Sequence, residues 1–168
     1  FDFTPEEFEP RVREFFSGGG RGLNITLPHK VAAVDIASDL TPRAAHAGAV
    51  NTLALQKDGS ILGDNTDGAG LVRDLCDNQG LVIIRRRLLI VGAGGATRGV
   101  IAPLLALEPA EIVIANRTPE RAQGMAIAFA ELGHTSGVGF ADLPGQPFDI
   151  VINATSASLS KEVPAIPA

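Results

Sequence analysis

The run Leu88-Leu89-Ile90-Val91-Gly92-Ala93-Gly94-Gly95-Ala96-Thr97-Arg98-Gly99 constrains the fold of this chain more than any other stretch. Four apolar residues lead straight into a glycine-rich turn, the pattern of a buried strand delivering a phosphate loop. Gly92 can make the tight turn, Gly94 lets the backbone approach a pyrophosphate, and the free N–H groups opening the next helix face the anion. The third glycine of G-x-G-x-x-G is replaced by Thr97. Downstream, Val100, Ile101, Leu104, Leu105 and Leu107 recur at helical spacing, and residues 111–115 read as a second buried strand. The three elements make a βαβ unit.

An NAD-binding unit places an acid roughly 20 residues beyond the glycine turn to hold the ribose 2′-hydroxyl. Here that region is Asn116-Arg117-Thr118. A guanidinium forks onto phosphate oxygens, so Arg117, with Thr118 as a hydroxyl donor, suits the 2′-phosphate of NADP, whereas an acid would repel it. The blander alternative is a solvated arginine at a helix start, because Thr118-Pro119-Glu120-Arg121 also reads as an N-cap with proline at N1.

With 168 residues and 45% hydrophobic content, the chain can bury a core as one large or two small domains. A net charge of -5 and a pI near 5.1 argue against a nucleic-acid-binding surface. No apolar run reaches the roughly 20 residues of a membrane span, so no membrane partner is expected. The single cysteine, Cys76, excludes an internal disulfide and fits a cytoplasmic location. His29, His46 and His134 lack metal-ligand spacing and are expected to be surface or packing residues, with no metal. The chain opens at Phe1 and its one methionine is Met125, so a part of a longer polypeptide is expected.

From the start, Thr4 with Pro5 and Glu6 reads as a capped helix on which Phe8, Val12, Phe15 and Phe16 share a face. Residues 23–27 alternate as in a strand that Pro28 stops. Residues 30–37 read as a short helix with Lys30 in its first turn, a placement that opposes the helix macrodipole and asks for a reason. Thr41-Pro42 caps another short helix, and Asp58-Gly59 marks a hairpin. The polar, glycine-rich residues 63–70 precede a helix carrying Leu71, Val72, Leu75 and Cys76. Asp67 or Thr66 could simply cap that helix, and the passage is the best domain boundary in the chain. Pro103 falls inside the helix after the phosphate loop, where it costs about 3 kcal/mol against alanine. A local kink and an intact loop are expected.

Six motifs in order, Asn24-Ile25-Thr26-Leu27-Pro28-His29-Lys30, Gly48-Ala49-Val50-Asn51-Thr52, Gly63-Asp64-Asn65-Thr66-Asp67-Gly68, Gly92 to Ala96, Asn116-Arg117-Thr118 and Ile152-Asn153-Ala154-Thr155-Ser156, resemble those of the shikimate dehydrogenase family. The family reduces 3-dehydroshikimate to shikimate with NADPH in aromatic amino acid biosynthesis. The resemblance implies an α/β chain with a substrate-binding domain over residues 1–66, an NADP-binding Rossmann domain with a parallel sheet over residues 67–168, and an active site between them. It carries the catalytic pair over to Lys30 and Asp67, and further substrate contacts to Asn24, Thr26, Asn51 and Asn65. Cofactor contacts fall on Gly92, Ala93, Gly94, Gly95, Ala96, Thr97, Asn116, Arg117, Thr118, Arg121, Thr155 and Ser156. Family members are longer at both ends, so both domains and the substrate site are expected to be incomplete, in a chain that is a fragment or the ordered part of a longer one. Alternatives are a dual quinate/shikimate dehydrogenase, a non-catalytic sensor on the same fold, or a Rossmann domain acting on another substrate. A small-molecule substrate and a monomer or homodimer are expected.

Overall fold

Thr4 opens the first helix, α1 (Pro5–Ser17), with a reciprocal cap. Its side chain accepts from the Glu7 N–H, and the Glu7 carboxylate accepts from the Thr4 N–H at 3.0 Å. Phe8, Val12 and Phe16 form the buried stripe of α1, while Phe15 is only partly buried. The computed structural model describes residues 1–155, and the chain divides into two units after Asp67.

The first unit is built on a four-stranded sheet in the order β1-β3-β4-β2, comprising β1 (Gly22–Asn24), β2 (Asp39–Leu40), β3 (Thr52–Leu55) and β4 (Ile61–Asp64). Strands β3 and β4 are an antiparallel hairpin across Asp58-Gly59, where Gly59 takes φ 88°. Between β2 and β3 lies α2 (Pro42–Ala47), capped by the Thr41 side chain and closed by Gly48 at φ 56°. Its core joins Phe8, Val12 and Phe16 of α1 to Ile25, Ala33, Ile36, Ala44, Val50 and Leu53.

The strand expected over residues 23–27 is β1, which ends at Asn24. The helix expected over residues 30–37 is a turn followed by one 3-10 turn, Ala32–Val34. An α-helix would need the Val34 N–H on the Lys30 carbonyl. That carbonyl instead accepts the Val50 N–H at 2.7 Å, and Val34 donates to Val31. Tertiary pairing has replaced the local ladder, so Lys30 opposes no macrodipole.

The second unit carries a parallel sheet in the order β7-β6-β5-β8, from β5 (Arg87–Val91), β6 (Glu111–Asn116), β7 (Thr135–Gly139) and β8 (Ile150–Asn153). Chain and strand order reverse between β5 and β8, which makes a topological switch point at their carboxyl ends. Leu88, Ile90, Ile112 and Ile114 point to one face and pack with α4 (Gly95–Leu105) and α5 (Pro119–Phe129). Leu89, Val91, Val113 and Ala115 point to the other, against Val138, Phe140, Leu143 and Phe148. Full burial of such side chains stabilises the sheet by about 1.5–3 kcal/mol each. Strand β7 carries no apolar or alternating pattern in the sequence.

Helix α3 (Asp67–Arg73) continues into a π-helical turn, Asp74–Asn78, that holds Leu75 and Cys76. Helix α4 runs through Pro103 to Leu105. The carbonyl that Pro103 cannot engage belongs to Gly99, and it lies against Gly68: a Cβ there would meet Gly99 O at 2.4 Å and Pro103 Cγ at 2.6 Å.

Candidate functional site

Lys30 reaches Asp67 across 37 positions of sequence, its Nζ donating to Oδ2 at 2.7 Å. The side chains are 17% and 30% exposed, so the pair is partly desolvated yet open to a ligand. Asn51 Nδ2 donates to the other oxygen, Oδ1, at 2.8 Å and to Thr66 Oγ1 at 2.9 Å. Its Oδ1 accepts from the Thr66 N–H at 3.0 Å and from Thr52 Oγ1 at 2.9 Å. With Val50 N–H on the Lys30 carbonyl, a closed circuit runs from Lys30 through Val50, Asn51 and Asp67 back to Lys30. The boundary expected between residues 66 and 67 puts Lys30 and Asp67 in different domains. Both belong to the first unit, whose last residue is Asp67; that residue also opens α3, and its carboxylate is bonded to Lys30 and Asn51.

The backbone carrying Asp67 is anchored by two further side chains. Asp64 Oδ1 accepts from Thr41 Oγ1 and Arg43 Nε, both at 2.7 Å, and from the Asn65 N–H at 2.8 Å, while Arg43 Nη2 takes Oδ2. The Arg43 guanidinium is the chief cause that holds Asp64 down at about 2; burial opposes it, and Thr41 and the Asn65 N–H reinforce it. No spacing in the sequence signals this cluster. Asn65, expected to touch substrate, is 2% exposed: its Nδ2 donates to the Ala49 carbonyl at 3.1 Å and its Oδ1 accepts from the Asp67 N–H at 3.2 Å. Asn24 and Thr26 lie exposed on and just after β1, and their side chains make no hydrogen bond among the described residues. His29 is a packing residue, its ring stacked on Phe8 at 4.4 Å with Nε2 2.9 Å from the Phe3 carbonyl.

In the second unit, Gly92 takes φ 105°, and a Cβ there would lie 3.1 Å from the Ala154 carbonyl. Gly94 and Gly95, at the start of α4, would place a Cβ in open space, so the absent side chains leave a cradle beside the helix N-terminus. Thr97, expected to bind cofactor, is fully buried, and its hydroxyl donates to the Gly92 carbonyl at 2.7 Å, closing the turn from beneath. After β6, Asn116 Nδ2 donates to the Thr118 carbonyl at 3.0 Å. Thr118 is the N-cap of α5 but its side chain makes no cap bond, and Arg117 and Arg121 are exposed without an ion pair among the described residues. Thr155 bonds Asn153 Oδ1 beyond β8, and Ser156 lies outside the described residues. Among the described residues no group of side chains could hold a metal ion, and no helix is long and apolar enough to cross a membrane.

A parallel sheet in this strand order, with an open glycine turn at its switch point, defines a dinucleotide-binding unit of the Rossmann class. It shares the chain with a small mixed-sheet unit that carries a lysine–aspartate pair. The family model for the shikimate dehydrogenase substrate binding domain matches residues 1–53, and that for shikimate / quinate 5-dehydrogenase matches residues 77–161. The chain belongs to the shikimate dehydrogenase family. It is 56% identical to the shikimate dehydrogenase (NADP(+)) of Methylococcus capsulatus, over 99% of this chain and 60% of that one. Among solved structures it is similar to an Ael1 enzyme from Pseudomonas putida, with TM-score 0.90 and 41% identity over 99% of this chain and 61% of that one. It is also similar to a shikimate 5-dehydrogenase from Thermus thermophilus in complex with NADP(H) and shikimate, with TM-score 0.77 and 32% identity over 92% and 55% of the two chains. The chain spans about three-fifths of the length of the curated relatives it matches.

Proposed function

We propose that this chain supplies the catalytic pair and the cofactor loop of an NADP-dependent shikimate dehydrogenase, which interconverts 3-dehydroshikimate and shikimate. The observation that carries the reading is the Lys30–Asp67 hydrogen bond at 2.7 Å, with Asn51 on the second carboxylate oxygen. Reduction of a ring ketone leaves an oxygen that needs charge stabilisation and a proton. The Lys30 ammonium can supply both from hydrogen-bonding distance of that oxygen. Asp67 orients Lys30 and accepts a hydrogen bond from a neighbouring ring hydroxyl. Asn24 and Thr26 offer further amide and hydroxyl groups to a polyhydroxylated ring, and Asn51, whose Nδ2 hydrogens are both engaged, holds the Asp67 carboxylate in place.

NADPH supplies the hydride when bound. The cradle at Gly94 and Gly95 and the N-terminus of α4 suit its pyrophosphate, with Ala93 and Ala96 flanking and Thr155 and Ser156 following β8 nearby in sequence. Thr97 keeps the turn closed. Arg117, Thr118 and Arg121, with Asn116 shaping their turn, suit the 2′-phosphate. Exposed guanidiniums with no carboxylate partner among the described residues support that assignment. The test is NADP+ reduction by the intact protein with shikimate, with quinate and with neither. A shikimate-dependent rate is expected. Equal rates with quinate would place it as a dual enzyme, and no rate with either would leave a binding protein.

A further inference from the structure

We propose that Asn65 is a positioning residue for Asp67, acting through the Asp67 backbone and making no contact with substrate. The proposal rests on the reading of Lys30 and Asp67 as the catalytic pair. Asn65 and Thr97 are the buried polar residues among those described, and burial of a carboxamide is unfavourable unless its atoms are bonded. Both ends of the Asn65 amide are used. Nδ2 donates to the carbonyl of Ala49, itself fully buried, at 3.1 Å, and Oδ1 accepts from the Asp67 N–H at 3.2 Å.

The Asp67 N–H belongs to the first turn of α3, where no intrahelical acceptor exists, so a side chain must satisfy it. A simpler residue could do that alone. What Asn65 adds is a second anchor on Ala49, two residues before Asn51. Asn51 in turn accepts the Thr66 N–H and donates to the Asp67 carboxylate. Two carboxamides thus stitch residues 65–67 to residues 49–51. Asn65 fixes the backbone of Asp67, and Asn51 fixes its carboxylate. With Lys30 drawn to Asp67 Oδ2 and its carbonyl held by Val50, a shift of the Asp67 backbone displaces the ammonium as well.

The test uses Asn65→Ala and Asn65→Ser in the intact protein, each alone and combined with Asp67→Asn. Asn65→Ala removes both bonds and should lower kcat by about 10- to 100-fold, the scale of a misplacement near 1 Å, with a smaller change in KM for shikimate. Serine can still accept from an N–H two residues on, so Asn65→Ser should recover most of kcat without recovering Tm, because the Ala49 carbonyl stays unpaired. In the Asp67→Asn background, Asn65→Ala should lower kcat little further while still lowering Tm. Hydrogen exchange at the Asp67 amide, read without turnover, should quicken by about tenfold or more in Asn65→Ala and stay slow in Asn65→Ser. Val12→Ala, a core loss in the same unit, should lower Tm and leave kcat unchanged below it. A kcat within twofold of the unsubstituted protein for Asn65→Ala, full additivity with Asp67→Asn, or unchanged exchange at Asp67 would overturn the proposal. An unsubstituted protein with no shikimate-dependent rate would overturn the functional reading, and the exchange measurement would then decide the positioning role.

Discussion

Lys30 and Asp67 share a 2.7 Å charge-assisted hydrogen bond within a single unit of the fold, held from the Lys30 carbonyl at one end and from Asn51 at the other. The pair is therefore fixed by the backbone of three segments, residues 25–30, 49–51 and 64–67. The Lys30 ammonium is in turn held by the Asp67 carboxylate, so the placement of Asp67 sets that of the acid.

We expect Arg117, the arginine after β6, to set cofactor choice. Arg117→Ala should weaken NADPH binding by roughly 1.5–3 kcal/mol, the loss of a charge-assisted bond, and leave NADH binding nearly unchanged. Titration calorimetry with both cofactors checks it, and equal losses would remove the 2′-phosphate assignment.

The Arg43–Asp64 pair predicts a specific pH window. Asp64 titrates at about 2 in the fold against an ordinary 3.8, so its contribution to stability is complete above 3.8 and is lost as pH falls through about 2. Arg43 is more than a third exposed, so screening reduces the contribution to about 1 kcal/mol. Urea unfolding of the protein and of Arg43→Met should differ by that amount at pH 5, and the gap should close toward pH 2.

Tight helix packing fixes Gly68. Its Cβ position lies 2.4 Å from Gly99 O and 2.6 Å from Pro103 Cγ, so Gly68→Ala should destabilise by about 1–3 kcal/mol through overpacking of α3 on α4. A thermal melt unchanged by the substitution would contradict that packing.

Arg85 and Glu108 present the opposite case. Among the described residues they are the non-glycine residues with positive φ, at 57° and 53°, and the Arg85 N–H bonds the Glu108 carbonyl at 2.9 Å. Glycine would keep that backbone bond and remove a left-handed cost of about 1–2 kcal/mol, offset by about 0.5–1 kcal/mol of chain entropy. Each single glycine variant should raise stability by roughly 0.5 kcal/mol in chemical denaturation.

Much of this architecture is written locally. The Thr4 and Thr41 caps, the Asp58-Gly59 hairpin, and the apolar runs of β5 and β6 each carry their own signal, and each forms where that signal puts it. Strand β7 carries none, since Thr135-Ser136-Gly137-Val138-Gly139 is small and polar. It is selected by packing, with Gly137 so close to α5 that a Cβ would meet the Ala122 backbone at 2.3 Å. The helix expected after Lys30 fails for a related reason, because Val50, twenty residues away, takes the carbonyl it needs. Residue types at the candidate site were legible as motifs, but which side they face was not. Asn65 and Thr97 sit in polar, glycine-rich stretches that read as ligand-facing, yet both turn inward to satisfy backbone groups.

Lys30 and Asp67 are expected to act as one catalytic unit. Lys30→Ala removes the proton donor and the charge beside the developing alkoxide, while Asp67→Asn keeps the shape and loses the charge. Steady-state kinetics of the two single variants and the double variant, alongside their Tm, test this most directly. The expected result is a fall in kcat of roughly 10²- to 10⁴-fold for Lys30→Ala, a smaller change in KM, and a double variant little worse than the poorer single. A Lys30→Ala protein with full kcat, or an Asp67→Asn protein that loses only the roughly 1 kcal/mol of a helix cap, would contradict it.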